Sequence, residues 1–273
     1  MSNADVDFAV HITGQMGWEL ARSDFEFMME LEPKGCFVLS EDPEKIGIAT
    51  AVSFGKIAWF GNLIVNESKR GRGAGSLLVN HSFKYLKSKK VETVGLYAYM
   101  ERISFYKRLG FKPDLEFMVL KGTAFPSPSS RDVTQAGKKD IEEIVEFDRA
   151  FLGESRKKML EPILSDPDNL CYISTENEKI VGYSVAKVFR GMAELGPLLC
   201  EKGRDSTAMA LLKTTLNGLK GLEVSLFVPE KEDQILSMLA KNGFRESFKV
   251  ERMFHGPPVG LDWVYMAESL ERG

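Results

Sequence analysis

The feature that most constrains this chain is that it repeats itself. Gly61-Asn62-Leu63-Ile64-Val65 returns in pattern as Gly196-Pro197-Leu198-Leu199-Cys200, and Gly110-Phe111 returns as Gly243-Phe244. Both pairs are offset by about 133–135 residues, as expected of a duplicated unit. A length of 273 residues suits two such units, and a 44% hydrophobic composition supplies each with a core. Between them, Gly122-Thr123-Ala124-Phe125-Pro126-Ser127-Pro128-Ser129-Ser130 carries two prolines among small polar residues. Such a stretch continues neither a helix nor a central strand, so it is a linker. The expected division is residues 1–122, a linker at 123–130, and residues 131–273.

Each half alternates strands with helices, an α/β (α+β) organisation. In the first half the pattern predicts a helix over Trp18–Glu30 and strands over Cys36–Ser40, Lys45–Ser53 and Ile57–Val65. A helix Ala74–Lys87, a strand Val91–Tyr97, a short helix Arg102–Leu109 and a strand Leu115–Lys121 follow. The second half predicts helices over Lys139–Phe147 and Arg156–Leu164, then strands over Cys171–Thr175 and Ile180–Phe189. After Glu194–Cys200 come a helix Thr207–Leu219, a strand Val224–Val228, a helix Gln234–Lys241 and a last strand from Gly243-Phe244.

Between the strand Ile57–Val65 and the next helix lies Arg70-Gly71-Arg72-Gly73-Ala74-Gly75-Ser76. Alternate glycines let the backbone curl and present its N–H groups with no Cβ in the way. Those groups open a helix whose macrodipole favours negative charge, so the loop suits a phosphate or pyrophosphate. A Walker A loop would need a lysine after the last glycine, and here Ser76-Leu77 follows. A dinucleotide fingerprint would need a third glycine at Ser76 and a place in the first strand–helix unit. Neither pattern is met.

Arg70-x-x-Gly73-x-Gly75 preceded by Leu63-Ile64-Val65, with Tyr106 four residues before Gly110-Phe111, resembles the signature of the GNAT superfamily of acyl-CoA-dependent N-acyltransferases. Gly17-Trp18 and the second-half Asp148-Arg149, Gly153, Arg156, Gly196-Pro197 and Val228-Pro229 extend the resemblance. It reaches the two-domain bacterial and archaeal acetyltransferases of the YitH/HolE type. This implies two tandem GNAT-like domains, each a mixed, mostly antiparallel sheet flanked by helices. It also implies acetyl-CoA as cosubstrate, the pantetheine arm pairing with Leu63, Ile64 and Val65, and the pyrophosphate on Arg70, Gly71, Arg72, Gly73, Ala74, Gly75 and Ser76.

The same resemblance makes Tyr106 the catalytic acid, a phenol near pKa ~10 facing a departing thiolate near ~8.5. No acidic residue occupies Ile57–Val65, where many relatives carry a glutamate, so no base is assigned. Trp18 is expected at the acceptor pocket. Tyr97 and Tyr99 replace small polar groups of related two-domain enzymes and make that wall aromatic. Aligned through Gly196, the second half sets Asp205-Ser206-Thr207-Ala208-Met209-Ala210 against the loop and Leu239 against Tyr106. A carboxylate and added methyls disfavour pyrophosphate, so one CoA site per chain is expected. Asp148, Arg149 and Arg156 are expected at the interdomain cleft, as acceptor contacts or as a surface or interface ion pair.

The implied reaction moves an acetyl group to a primary amine of a small molecule by direct attack in a ternary complex. The alternative is a non-catalytic acyl-CoA-binding sensor or regulatory protein. A net charge of −3 argues against nucleic acid. Apolar runs fall short of the ~18 residues a membrane span needs. Cys36, Cys171 and Cys200 are dispersed, which fits reduced thiols in a cytoplasmic protein and offers no metal spacing. A homodimer is left open.

Overall fold

The computed structural model describes residues 1–18, 20–127, 130–260 and 262–273. The linker reading therefore falls partly on Pro128 and Ser129, outside the described residues, as are Glu19 and Leu261. The first half runs α1 (Val6–Gly14), α2 (Arg22–Leu31), β1 (Cys36–Glu41), β2 (Glu44–Phe54), β3 (Ile57–Val65), α3 (Ala74–Ser88), β4 (Thr93–Tyr99), α4 (Ile103–Arg108) and β5 (Lys112–Thr123). The second runs β6 (Val133–Gln135), α5 (Ile141–Leu152), α6 (Lys157–Ser165), β7 (Leu170–Glu176), β8 (Lys179–Phe189), β9 (Met192–Cys200), α7 (Asp205–Gly218), β10 (Glu223–Pro229), α8 (Asp233–Lys241), β11 (Arg245–His255) and β12 (Val264–Met266).

The expected elements are present, with three additions and one correction. Helix α1 and strands β6 and β12 have no counterpart in the sequence reading. Trp18 is not in a helix; it lies between α1 and α2. Helix α1 buries Val6, Ala9 and Ile12, spaced one turn apart, against Phe25 and Met28 of α2 and Ile48 and Ile64 of the sheet. On the opposite face, Leu78, Val79 and Leu86 of α3 pack on Ala49, Phe60, Val94 and Leu96. The first-half sheet is thus covered on both sides.

The described strands form a single mixed sheet, in the order β1-β2-β3-β4-β11-β5-β10-β9-β8-β7-β6. Only β3–β4 and β9–β10 pair in parallel; the other neighbours are antiparallel. The two halves exchange their last long strands. β11 of the second half pairs with β4 of the first, and β5 of the first pairs with β10 of the second. A mixed core joins them further, with Val52, Phe54 and Trp59 packed among Ile144, Met159, Leu160 and Tyr183. The buried Glu32 side chain ties the halves by accepting from Lys158 of α6 at 3.0 Å and from Ser53 at 2.7 Å. No helix of the described residues is long and apolar enough to cross a membrane.

Candidate active site

The site begins where two parallel strands part. β3 and β4 pair only through Ile57–Trp59 against Thr93–Gly95. Beyond Trp59, the β4-facing edge of β3 has no strand partner among the described residues. On its other side β3 stays paired with β2, but the register slips by one residue between Gly61 and Ile64. This is a bulge at Asn62-Leu63, with Asn62 at φ 50° and its amide donating to Thr50 Oγ1 at 3.2 Å. The parted strands open into a cleft of about 1460 Å³ whose walls come from both halves of the chain. Leu63, Ile64 and Val65 all line it.

The glycine loop closes one end of this cleft. Gly71 and Gly73 adopt φ of 77° and 86°, and a Cβ on either would meet nothing within 4 Å. They are needed for backbone conformation, not for space. Gly75 lies against Phe105 of α4, where a Cβ would make ordinary contact at 3.4 Å. Gly73 caps α3 with no side chain, and the first turn of α3 carries no acid. The first helical bond runs from Leu77 N–H to Gly73 C=O, 2.9 Å. The N–H groups of Gly71 to Ser76 have no partner among the described residues, an anion cradle at a helix start. Arg70 folds back instead, its Nε donating to Val65 C=O at 2.9 Å. Gly71, Gly73, Ala74, Gly75 and Ser76 line the cleft with Arg70, whereas Arg72 is exposed outside the lining.

Tyr106 reaches the same cleft from α4, packed edge-on against Phe105 and Phe111 at 5.0 and 5.7 Å. Its hydroxyl has no partner among the described residues, and burial pushes its pKa above the usual phenol value. The phenol therefore stays protonated across the neutral range. The opposite wall is aromatic. Trp18 Nε1 donates to Tyr99 Oη at 2.7 Å and the rings stack at 6.2 Å. Phe248 of the exchanged strand β11 packs on Tyr99 at 5.1 Å. Tyr97 stacks on Trp59 at 5.4 Å and lines the cleft beside them.

Two expectations are corrected. Asp148 and Arg156 do not line the cleft as acceptor contacts; they form the expected ion pair, inside the protein and not on its surface. They are fully buried, Arg156 holding Asp148 through Nε and Nη2 at 3.0 and 2.6 Å, with Tyr183 Oη donating to the same carboxylate at 2.6 Å. Arg156 Nη1 also donates to the carbonyl oxygen of Gly273. Arg149 is exposed and pairs with Glu146 at 3.2 Å. The second correction concerns the loop alignment. Asp205–Ala210 belong to the first turns of α7, not to a loop. Asn66–Gly73 joins β3 to α3, but only Glu201–Arg204 joins β9 to α7, so the second-half loop is shortened, not merely substituted. Leu239, set against Tyr106, is wholly buried in the second-half core.

Sequence reasoning missed the last turn of the chain. Leu270, Glu271 and Arg272 line the first-half cleft, and a Cβ on Gly61 would stand 2.9 Å from Glu271 Cα. No local pattern announces this, because the contact joins β3 to the far end of the sequence. The three cysteines are buried, with Cys36 and Cys171 pushed up to about 12 by burial, so none is poised as a thiolate. The described residues hold no cluster of three or more His, Cys, Asp or Glu side chains placed for a metal.

Two family models, each described as an acetyltransferase (GNAT) domain, match residues 32–113 and 144–265. A holothin acyltransferase from Pseudoalteromonas sp. (strain SANK 73390) is 25% identical over 266 residues, covering 94% of this chain and 87% of that protein. An uncharacterised N-acetyltransferase of Methanocaldococcus jannaschii is 30% identical over 112 residues, 37% of this chain and 48% of its own. Among solved structures, a candidate acetyltransferase from Pyrococcus horikoshii superposes with a TM-score of 0.83 at 21% identity, covering all of this chain and 94% of its own. A tandem GNAT protein from the clavulanic acid biosynthesis pathway gives 0.61 at 12% identity, covering 93% and 94%. At these identities the structural likeness concerns the fold.

Proposed function

Since the chain belongs to the GNAT acetyltransferases and carries two of their domains in tandem, making it an acyltransferase, we propose that it moves an acetyl group from acetyl-CoA to a primary amine of a small molecule. The observation that carries this reading is the parting of β3 from β4 with an unpaired N–H cradle at its end. The residues present suit acetyl-CoA at both ends. The pyrophosphate would sit on the N–H groups of Gly71 to Ser76, and the pantetheine arm would lie along the free edge at Leu63, Ile64 and Val65 as an added strand. A backbone N–H near Ile64 would then stabilise the oxyanion as the amine attacks.

Tyr106 would meet the departing sulfur. With its pKa raised, full transfer of the phenol proton to a thiolate near ~8.5 is uphill, so the phenol acts chiefly as a hydrogen-bond donor. Trp18, Tyr97 and Tyr99 would face the acceptor. Direct attack is favoured over a cysteine relay because all three thiols are buried and outside the cleft. In this reading residues 1–122 hold the acetyl-CoA site, 123–130 are the linker and 131–273 form a copy that binds no cosubstrate of its own but adds residues to the cleft wall. Three reduced thiols fit a cytoplasmic protein. The acceptor class rests on the aromatic cleft and on a relative named holothin acyltransferase that aligns with 94% of this chain.

The test is calorimetry with acetyl-CoA followed by thiol release with primary amines. Binding with turnover is expected. Tight binding with no turnover on any amine would support a CoA sensor instead, and no binding would remove the site.

A further inference from the structure

We propose that Glu271, brought into the first-half cleft by the last turn of the chain, is the base that takes the proton from the acceptor amine. This rests on the acyl-transfer reading above. No acid occupies β3, yet an acceptor amine is protonated at neutral pH and must lose a proton before it attacks. Glu271 fills that gap from outside the strand. Its Cα lies flat on Gly61, where any Cβ would collide, so a side chain from a distant part of the sequence stands where β3 itself offers none. It lines the cleft beside Tyr99, whose hydroxyl its charge reaches.

The surroundings separate Glu271 from its neighbour Glu268. Glu268 is wholly buried and ion-paired, accepting from Lys187 at 2.5 Å and from Arg272 through two bonds of 3.1 Å. Lys187 also pairs with Glu194 at 2.5 Å. Both nearby cations are thereby engaged, and Glu268 is held well below the usual carboxylate range. Glu271 has no hydrogen-bond or ion-pair partner among the described residues. Burial, with Glu194 and Glu268 adding repulsion against the pull of Arg272 and Lys187, raises it to about 7. Two carboxylates three residues apart are driven in opposite directions, the pattern that marks acid–base assignments.

The turn is also held in place. Arg156, clasped by Asp148, donates to Gly273 C=O, and Arg272 N–H donates to Ser269 Oγ at 3.1 Å. In the reaction, an N–H bond of the ammonium breaks and its proton passes to a Glu271 oxygen. The freed pair attacks the thioester carbon, and the C=O pair moves onto oxygen. Collapse restores C=O, breaks C–S and leaves the pair on sulfur. Sulfur takes the remaining excess proton from nitrogen beside the Tyr106 phenol, and Glu271 returns its own proton to water. The products are amide, CoA thiol and one proton.

The experiment uses the full chain with Glu271→Gln and Glu271→Asp. Acetyl-CoA affinity is measured by calorimetry, and thiol release is measured with tyramine, tryptamine and spermidine across pH 5.5 to 9. For Glu271→Gln we expect unchanged acetyl-CoA affinity and at least ~100-fold lower kcat/KM for the amine. The wild-type rate should rise with pH through a limb near 7 that the variant lacks, since only the ionised carboxylate accepts a proton. Glu271→Asp should recover part of the rate. A Glu271→Gln chain that keeps the limb and a rate within threefold overturns the assignment alone. A wild type that binds acetyl-CoA but turns over no amine overturns the acyl-transfer reading and Glu271 with it. Independently, ¹³C-carboxyl NMR of the ligand-free wild type should show one glutamate titrating near 7 that is absent from Glu271→Gln; its absence from the wild type also overturns the proposal.

Discussion

Among the described residues the same strand divergence is built twice, and one of the two is left open. In the first half β3 and β4 part after Trp59 and Gly95; in the second, β9 and β10 part after Leu195 and Leu226. Each first strand is bulged within one residue of the matching place, at Asn62-Leu63 and Gly196-Pro197. The second opening is filled by the protein itself. β12 pairs Val264 and Met266 with Leu199 and Leu198, Cys200 N–H donates to Trp263 C=O at 3.1 Å, and Ala267 N–H donates to Phe227 C=O at 3.1 Å. That is the edge along which a pantetheine arm would run in the first half. The helix beyond differs in the same sense. Gly73 caps α3 over an eight-residue loop, whereas Arg204 caps α7 over four residues and Asp205 occupies its first turn. A backbone that parts can receive a cosubstrate or a piece of its own chain, and the segment that seals one opening continues directly into the turn that completes the other.

The strongest way to break this comparison is to release that segment. Arg156→Met should destabilise the protein by about 3–5 kcal/mol, because Asp148 remains buried without its cation. Urea unfolding measures the loss, and the comparison predicts that it comes with weaker amine turnover, since Gly273 and the Glu271 turn lose their anchor. A stable Arg156→Met chain with normal kinetics would detach the turn from the site.

Next in size is Gly73→Asp. It sets a side chain on a backbone at φ 86° and a carboxylate at the anion cradle, so acetyl-CoA affinity should fall about 100-fold or more by calorimetry. Circular dichroism should show the fold retained. The matching change in the other half cannot be Ala208→Asp, because Ala208 is wholly buried in the core. Ser206→Asp, exposed at the start of α7, is the proper counterpart and should leave affinity unchanged. Equal effects at the two sites would erase the asymmetry.

Tyr106→Phe probes the chemistry of the open half. A hydrogen bond to a charged sulfur contributes about 1.5–3 kcal/mol, so thiol release should slow about 10- to 100-fold with acetyl-CoA affinity kept. The effect belongs in kcat. Loss confined to KM would mean that the ring only packs against Phe105 and Phe111.

What the sequence disclosed and what it hid divide along physical lines. Strand β3 was legible to its ends, Ile57 and Val65, and α3 to within a residue, because burial on a sheet and on a helix face leaves a local periodicity. The loop was legible because alternate glycines and a following helix are a local instruction. The exchange of β5 and β11 was not, since a strand's pattern states which face is buried and not which neighbour pairs with its edge. Strand β12 is three residues whose only reason to be extended is the vacant edge of β9. Glu271 is invisible for the same cause: nothing near it in sequence tells that Gly61 lies beneath it.

The smallest expected effect tests whether the filled opening is held by its own bonds. Tyr265, on β12, donates from its hydroxyl to Asp205 Oδ1 at 2.6 Å, joining the sealing strand to the start of α7. Asp205 thus occupies the helix start that Gly73 leaves bare in the first half. Tyr265→Phe removes that one bond and keeps the ring in the core, so stability should fall by about 1 kcal/mol. Acetyl-CoA stoichiometry by calorimetry should stay at one per chain, because the backbone bonds of β12 to β9 and of Ala267 to β10 remain. A second binding event in Tyr265→Phe would show that the sealing strand competes with a ligand for an opening that is still functional. The asymmetry between the halves would then be a matter of one hydrogen bond and not of the shortened loop before α7.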